Sequence, residues 1–278
     1  SLLPMPPWLP TARDRRFREA LQSIDDIVED LIRQRRRSPA GHEDLLSALM
    51  TATDRETGQA MTDLQLRDEL VTFLLTGHET ITNAIVWMFS LLSLHPDIRR
   101  RVEAEVDAVL ANRPPTPQDL ERLPLCRRVV EETLRLYPTA WGFVRLAEKA
   151  NVVGGYQIPK YHTVCISPYV VHRHPRYWEN PEGFDPDRFL PENSKNRPKF
   201  AYIPFGGGPR ACIGNHFALM EAHLILACVT QKARLDLVPG QSIQAEALVT
   251  LCPRQGIKMN VQSRLQVASP VAPRHSFP

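Results

Sequence analysis

Cys212 stands in PFGGGPRACIG, with three consecutive glycines and a proline before it and a helix-forming run directly after it. Glycine lets a backbone fold tightly and present N–H groups to an anion, and a helix N-terminus does the same through its unpaired donors and dipole. A thiolate in such a place is stabilised, and its electron donation to a metal is tuned by those N–H bonds. Cysteine and glycine alone leave a second reading open, a small buried cysteine beside a turn. Zinc is disfavoured, because no second Cys or His has chelating spacing and His216 falls at the helix start. Glu132 and Arg135 have the i,i+3 spacing of an ordinary solvated helix pair. Thr80 lies in mid-helix, where its usual role is to bond back to the carbonyl of Thr76. Gly77 beside it is expected to let the helix widen locally, a feature often found at functional sites.

Mostly helical elements must position these groups. Apolar spacing at Phe17, Leu21, Ile24, Ile27, Val28, Leu31 and Ile32 predicts an amphipathic helix over Asp14–Arg37. A short helix is expected around Glu43–Thr53. A long one spans Asp63–Leu94, with Thr62 as N-cap and His95-Pro96 as its stop; its apolar middle belongs inside a core. Asp97–Ala111 reads as a charged surface helix, and Leu125–Leu136 as another helix, ended by Tyr137-Pro138. Short β-prone pieces follow at Phe143–Leu146, Val152-Val153 and Thr163–Ser167, with Gly154-Gly155 as a turn. His172–Pro204 has no long periodic segment, and a loop of that length usually wraps something. A final helix is predicted over Asn215–Ala233, then a weakly alternating tail ending in SPVAPRHSFP, expected to be disordered.

The 278 residues carry 34 Lys+Arg against 31 Asp+Glu, a net charge of +3, with 43% hydrophobic and 23% charged residues. This balance excludes a disordered, collagen-like or coiled-coil chain and gives no case for nucleic acid as a partner. Cys126, Cys165, Cys212, Cys228 and Cys252 form no CxxC pair and read as reduced thiols of a cytoplasmic protein. The most apolar stretch, Ala84–Leu94, is too short to span a bilayer, so membrane attachment is not evident. The chain lacks an initiator Met and opens in mid-pattern, from which a missing upstream part is expected.

A lone thiolate with an open far side suits haem iron, and the sequence resembles a family that uses one. FGGGPRACIG matches F-x-x-G-x-R-x-C-x-G, the haem-binding signature of the cytochrome P-450 family, through Phe205, Gly208, Arg210, Cys212 and Gly214. Glu132-Thr-Leu-Arg135 resembles its E-x-x-R helix, and Gly77-His-Glu-Thr80 its oxygen-binding motif. Phe184–Phe189 (FDPDRF) resembles its P-E-R-F segment, with Asp187 where Glu is more usual. The resemblance implies a mainly α fold with a small β region, its N-terminal part missing. Residues 1–265 would be the C-terminal portion of a single domain and 266–278 a tail.

By the same resemblance, haem b (iron protoporphyrin IX) is held by Cys212 as axial ligand, within a loop including Phe205, Gly206 and Gly214, with Arg210 and Arg145 on its propionates. Glu132, Arg135 and Arg188 lock the meander beneath it; His172 is structural. Glu79 and Thr80 are the acid–alcohol pair that manages protons for O2, with Ile81 where a second hydroxyl residue is common. Substrate contacts fall at Phe73, Leu74, Gly77, Ala140, Trp141, Phe143, Thr250 and Leu251. The activity implied is a bacterial-type monooxygenase that hydroxylates or epoxidises an apolar organic substrate. Electrons come from NAD(P)H through a separate ferredoxin- or flavodoxin-type partner docking near Arg127, Arg128, Lys195, Arg197 and Lys199. The alternatives are a truncated, non-catalytic remnant and a peroxide-driven haem-thiolate enzyme; keeping Glu79 and Thr80 argues against the latter.

Overall fold

The computed structural model describes residues 11–38, 41 and 43–264. The chain divides into two compact units, Ser1–His78 and Glu79–Pro278. In the first, helix α1 (Ala12–Arg37) opens on a capping box: Thr11 Oγ1 accepts from Asp14 N at 3.1 Å, and the Asp14 carboxylate accepts from Thr11 N at 2.8 Å. Its basic last turn holds Arg35, which pairs with Asp44 at 2.6 Å, the N-cap of α2 (Leu45–Thr51). Helix α3 (Asp63–Leu94) starts where Thr62 predicts it, with reciprocal bonds between Thr62 and Gln65 at 2.9 and 3.3 Å. Val28, Ile32 and Leu66 form the core of this unit, flanked by Ile24, Leu46, Leu49 and Leu70. Phe17, Leu21, Ile27 and Leu31 remain exposed, because the unit covers only one side of α1.

The second unit takes the rest of α3 together with α4 (Pro96–Leu110), α5 (Pro124–Leu136) and the one-turn α6 (Pro168–Val171) and α7 (Pro191–Ser194), then α8 (Asn215–Lys232). Pro96 ends α3 and also begins α4 at its first turn, where a missing N–H costs nothing. The expected surface helix α4 in fact puts Ile98, Val102, Val106 and Leu110 into the core, a stripe at every fourth residue. Glu105 of α4 caps α5 with both carboxylate oxygens, accepting from Leu125 N at 2.8 Å and Cys126 N at 2.9 Å. Met88 and Leu92 of α3, Val129 of α5 and Leu226 of α8 close this core.

Strands β1 (Phe143–Leu146) and β4 (Thr163–Ile166) pair antiparallel, as do β2 (Asn151–Val153) and β3 (Tyr156–Ile158) across the predicted Gly154-Gly155 turn. The weakly alternating tail hides two further pairings: β5 (Ala233–Leu237) with β8 (Met259–Ser263), and β6 (Ala245–Ala247) with β7 (Leu251–Pro253). Arg99 of α4 anchors β5 through Asp236, and Arg234 reaches back to the buried Glu103 at 2.7 Å. The terminal segment 266–278 lies outside the described residues. Among the described residues, no helix is long and apolar enough to cross a membrane.

Leu226→Ala, at a fully buried position, is expected to cost roughly 2–5 kcal/mol of unfolding free energy. Ile213→Ala, 86% exposed, is expected to stay within about 0.5 kcal/mol. Denaturant midpoints of the two variants check both.

Candidate functional site

Arg135 and Glu132 are completely shielded from solvent, so the solvated-pair reading fails. The five N–H donors of Arg135 meet five acceptors. Nε and Nη2 hold the two Glu132 oxygens at 2.7 and 2.8 Å; Nη2 also reaches Gly183 O at 2.8 Å, and Nη1 reaches His172 O and Pro181 O at 2.9 and 2.6 Å. Glu132 Oε1 also accepts from Asp185 N at 2.9 Å and lies 3.4 Å from Arg188 Nε. Arg188 completes the knot by donating to Glu179 O and Asn180 O. Burial pushes the Glu132 carboxyl above its usual value, while Arg135, the Asp185 N–H and Arg188 pull it down. Asp187, standing where Glu is more usual, ties the meander to α4 through Arg101 at 2.9 Å and to α5 through Arg128 at 3.4 Å.

His172 links this knot to the cysteine loop. Its Nδ1–H donates to Arg135 O at 3.2 Å, which fixes the tautomer, and its Nε2 accepts from Ile203 N at 2.8 Å. Ile203 O then accepts from Gly206 N at 3.0 Å, and Phe205 O from Cys212 N at 2.9 Å. Gly206 and Gly208 take φ of +71° and +73°, the left-handed region that only glycine enters cheaply. Cys212 stands ahead of α8, whose N-cap is Gly214, and is exposed. Ile213 and Phe217, which follow it, are 86% and 64% exposed.

Among the described residues no cluster of three or more His, Cys, Asp or Glu could hold a metal ion. A single exposed sulfur with exposed apolar neighbours therefore fits a large apolar group that brings its own equatorial ligands, as a porphyrin does. Arg210 and Arg145 are both exposed. Arg145, on β1, donates to Val144 O at 2.9 Å and lies over the Phe143 ring.

Glu79 and Thr80 follow one another on α3 in the second unit, Glu79 exposed and Thr80 half-buried. α3 is continuous α-helix through Gly77, with no π-helical turn there: glycine keeps its N–H and does not break the ladder by itself. Of the expected substrate contacts, Phe73, Leu74 and Gly77 belong to the first unit and the others to the second. Within the second, Leu251 N donates to Thr139 O at 2.9 Å and Trp141 Nε1 to Leu248 O at 2.9 Å, which joins segment 139–143 to segment 248–251. Thr250 is buried and donates its hydroxyl to Glu79 Oε1, while accepting from Asn83 Nδ2 at 3.0 Å. Sequence reasoning missed Asn83, Leu248 and Val249. A polar residue four places after Glu79 in an apolar run was the available signal for Asn83; the exposed Leu248 and Val249 carried none.

Two of the basic residues assigned to a docking face are spent inside the fold. Arg197 donates to Arg188 O at 2.6 Å and stacks over Trp178 and Phe189, and Arg128 bonds Asp187. Arg127, Lys195 and Lys199 remain exposed, with Arg127 paired to Glu131 at 3.3 Å.

A buried Glu–Arg pair is thus bonded through His172 to the glycine-rich loop that carries Cys212. The chain belongs to the cytochrome P450 family, whose model matches residues 1–261. It is 41% identical over 244 residues to cyclooctatin synthase of Streptomyces melanosporofaciens, covering 87% of this chain and 53% of that protein. It is 36% identical over 256 residues to pentalenene oxygenase of Streptomyces avermitilis, covering 92% and 57%. The crystal structure of the cytochrome P450DA heme domain is similar with a TM-score of 0.86 and 36% identity, covering 91% of this chain and 56% of that one. The chain thus spans about half the length of the curated relatives it matches.

Removing one partner of the buried pair, in Glu132→Ala or Arg135→Ala, is expected to cost about 3–5 kcal/mol. Thermal unfolding and faster proteolysis within 172–190 check this. Arg135→Lys should not rescue, because one ammonium cannot serve five acceptors.

Burial holds His172 and His223 down at about 4, against an ordinary 6.5. The unfolded chain therefore binds protons first. Stability is fully present above pH 6.5 and is lost as pH falls towards 4. His223→Gln, whose amide can still donate to Leu123 O, should remove up to about 1.4 kcal/mol per pH unit from that slope in denaturant titrations.

Proposed function

We propose that the chain is the C-terminal portion of a haem-thiolate monooxygenase acting on an apolar, terpenoid-sized substrate. The exposed Cys212, held by a loop that is bonded step by step to a buried ion pair, carries this reading. The names of relatives support the substrate class: cyclooctat-9-en-7-ol 5-monooxygenase of Streptomyces melanosporofaciens is 40% identical over 235 residues. When bound, haem b supplies the oxidation chemistry, in which one atom of O2 enters a C–H or C=C bond and the other is reduced to water.

The residues of the chain bind, orient and move protons. Cys212 Sγ would hold the haem iron, and Arg210 and Arg145 would be the cations available to the propionates. Glu79 handles protons at its carboxylate, with the Thr80 hydroxyl holding a water in line. Leu248 and Val249, exposed beside Trp141, add apolar surface of the kind a hydrocarbon substrate would cover. Electrons arrive from NAD(P)H through a ferredoxin- or flavodoxin-type partner, for which Arg127, Lys195 and Lys199 offer exposed positive charge. The five free cysteines fit a reducing, cytoplasmic setting.

A reduced carbon-monoxide difference spectrum of the chain supplied with haem tests the reading. The red-shifted Soret band of a thiolate ligand is expected, and its loss in Cys212→Ala. A band typical of a neutral ligand would refute it, whereas no haem uptake would assign haem binding to the whole domain, of which the chain spans about half in its relatives.

A further inference from the structure

Glu79, Asn83 and Trp87 occupy every fourth position of α3 and so form one stripe. Between them they reach two adjacent residues: Glu79 and Asn83 bond Thr250, and Trp87 bonds Leu251. Trp87 Nε1 donates to Leu251 O at 3.0 Å, and Leu251 N donates to Thr139 O at 2.9 Å, so Leu251 is clamped on both sides. That clamp delivers the Thr250 side chain into the gap between Asn83 and Glu79. There Asn83 Nδ2 donates to Thr250 Oγ1, and Thr250 Oγ1 donates to Glu79 Oε1.

We propose that Asn83 and Thr250 are positioning residues, which orient the Glu79 carboxylate through a hydrogen-bond chain of fixed direction. The direction follows from donor counting. An amide nitrogen only donates, so Thr250 Oγ1 must accept from Asn83, and its single proton is then committed to Glu79. Asn83 and Thr250 are buried and leave the hydroxyl little freedom to turn. Glu79 is an exposed side chain that would otherwise sample many rotamers. Anchoring Oε1 selects one of them. Because Oε1 faces a donated proton, a proton relayed by Glu79 travels on Oε2. A proton donor works only within hydrogen-bond reach of its acceptor, so this anchor sets how efficiently protons are delivered.

The inference rests on the proposed role of Glu79, and the experiment separates the two. Thermal unfolding of Thr250→Val, Glu79→Ala and the double variant reads the contact without any catalysis. The shifts are expected to be non-additive, the double variant losing less than the sum. With haem, NAD(P)H and a ferredoxin-type reductase, Thr250→Val should divert severalfold more reducing equivalents to hydrogen peroxide. Thr250→Ser should restore the wild-type ratio, and Thr250→Val should add nothing in a Glu79→Ala background. Asn83→Asp, nearly isosteric, replaces the donor with an acceptor and draws the Thr250 proton away from Glu79; the same rise in peroxide is expected if Thr250→Val does not fold. Additive unfolding shifts, or an unchanged peroxide ratio with the thiolate Soret band intact, overturn the relay. A neutral-ligand band in the unmodified chain overturns the haem-thiolate reading, and with it the role given to Glu79.

Discussion

A carboxylate and a guanidinium sealed from water must find a partner for nearly every donor and acceptor, and the second unit is arranged around that requirement. Removing either ion from solvent costs several kcal/mol, recovered only when the geometry is complete. Segment 172–188 has the opposite difficulty, since irregular backbone has no helix or ladder to satisfy its carbonyls. Each solves the other's problem. The carbonyls of His172, Pro181 and Gly183 take the donors that Arg135 cannot spend on Glu132, and those of Glu179 and Asn180 take Arg188. A loop with little secondary structure thereby acquires one conformation.

From this knot order passes outward by single bonds. His172 can accept from Ile203 N only while its Nδ1–H is engaged by Arg135 O, and burial keeps the ring neutral so that Nε2 stays an acceptor. Ile203 and Phe205 then fix Gly206 and Cys212 through their carbonyls. The exposed thiol is held from beneath by a chain that ends in a buried ion pair. On α3 the same logic runs in the other direction: a polar stripe in an apolar helix captures segment 250–251, whose side chain and backbone would otherwise be buried without partners.

Four arginines around the meander are spent on the fold itself. Arg128, Arg135, Arg188 and Arg197 all bond carboxylates or backbone carbonyls, and Arg197 also lies over Trp178 at 4.2 Å. Guanidinium suits these places because its planar fork meets several acceptors at once and stacks on rings. A count of basic residues along the chain therefore overstates the positive surface available to an acidic partner.

Local pattern alone determined the six longer helices, the glycine turn and the motif residues. Helical periodicity, the Thr62 cap and the Cys212 loop are all written within a few neighbouring positions, and such signals survive without tertiary information. Asp63–Leu94 and the β2–β3 turn were legible for that reason. Tertiary structure decided what depends on distant partners. The strands β5 to β8 are three to five residues long, too short to carry a period of their own, and β5 finds β8 only after the chain returns. Whether Glu132–Arg135 was a solvated pair or a buried knot depended on carbonyls 37 to 48 residues away. The engagement of Glu79 with Thr250, 171 residues later, had no local trace, because a hydrogen bond across the fold leaves no spacing in the sequence.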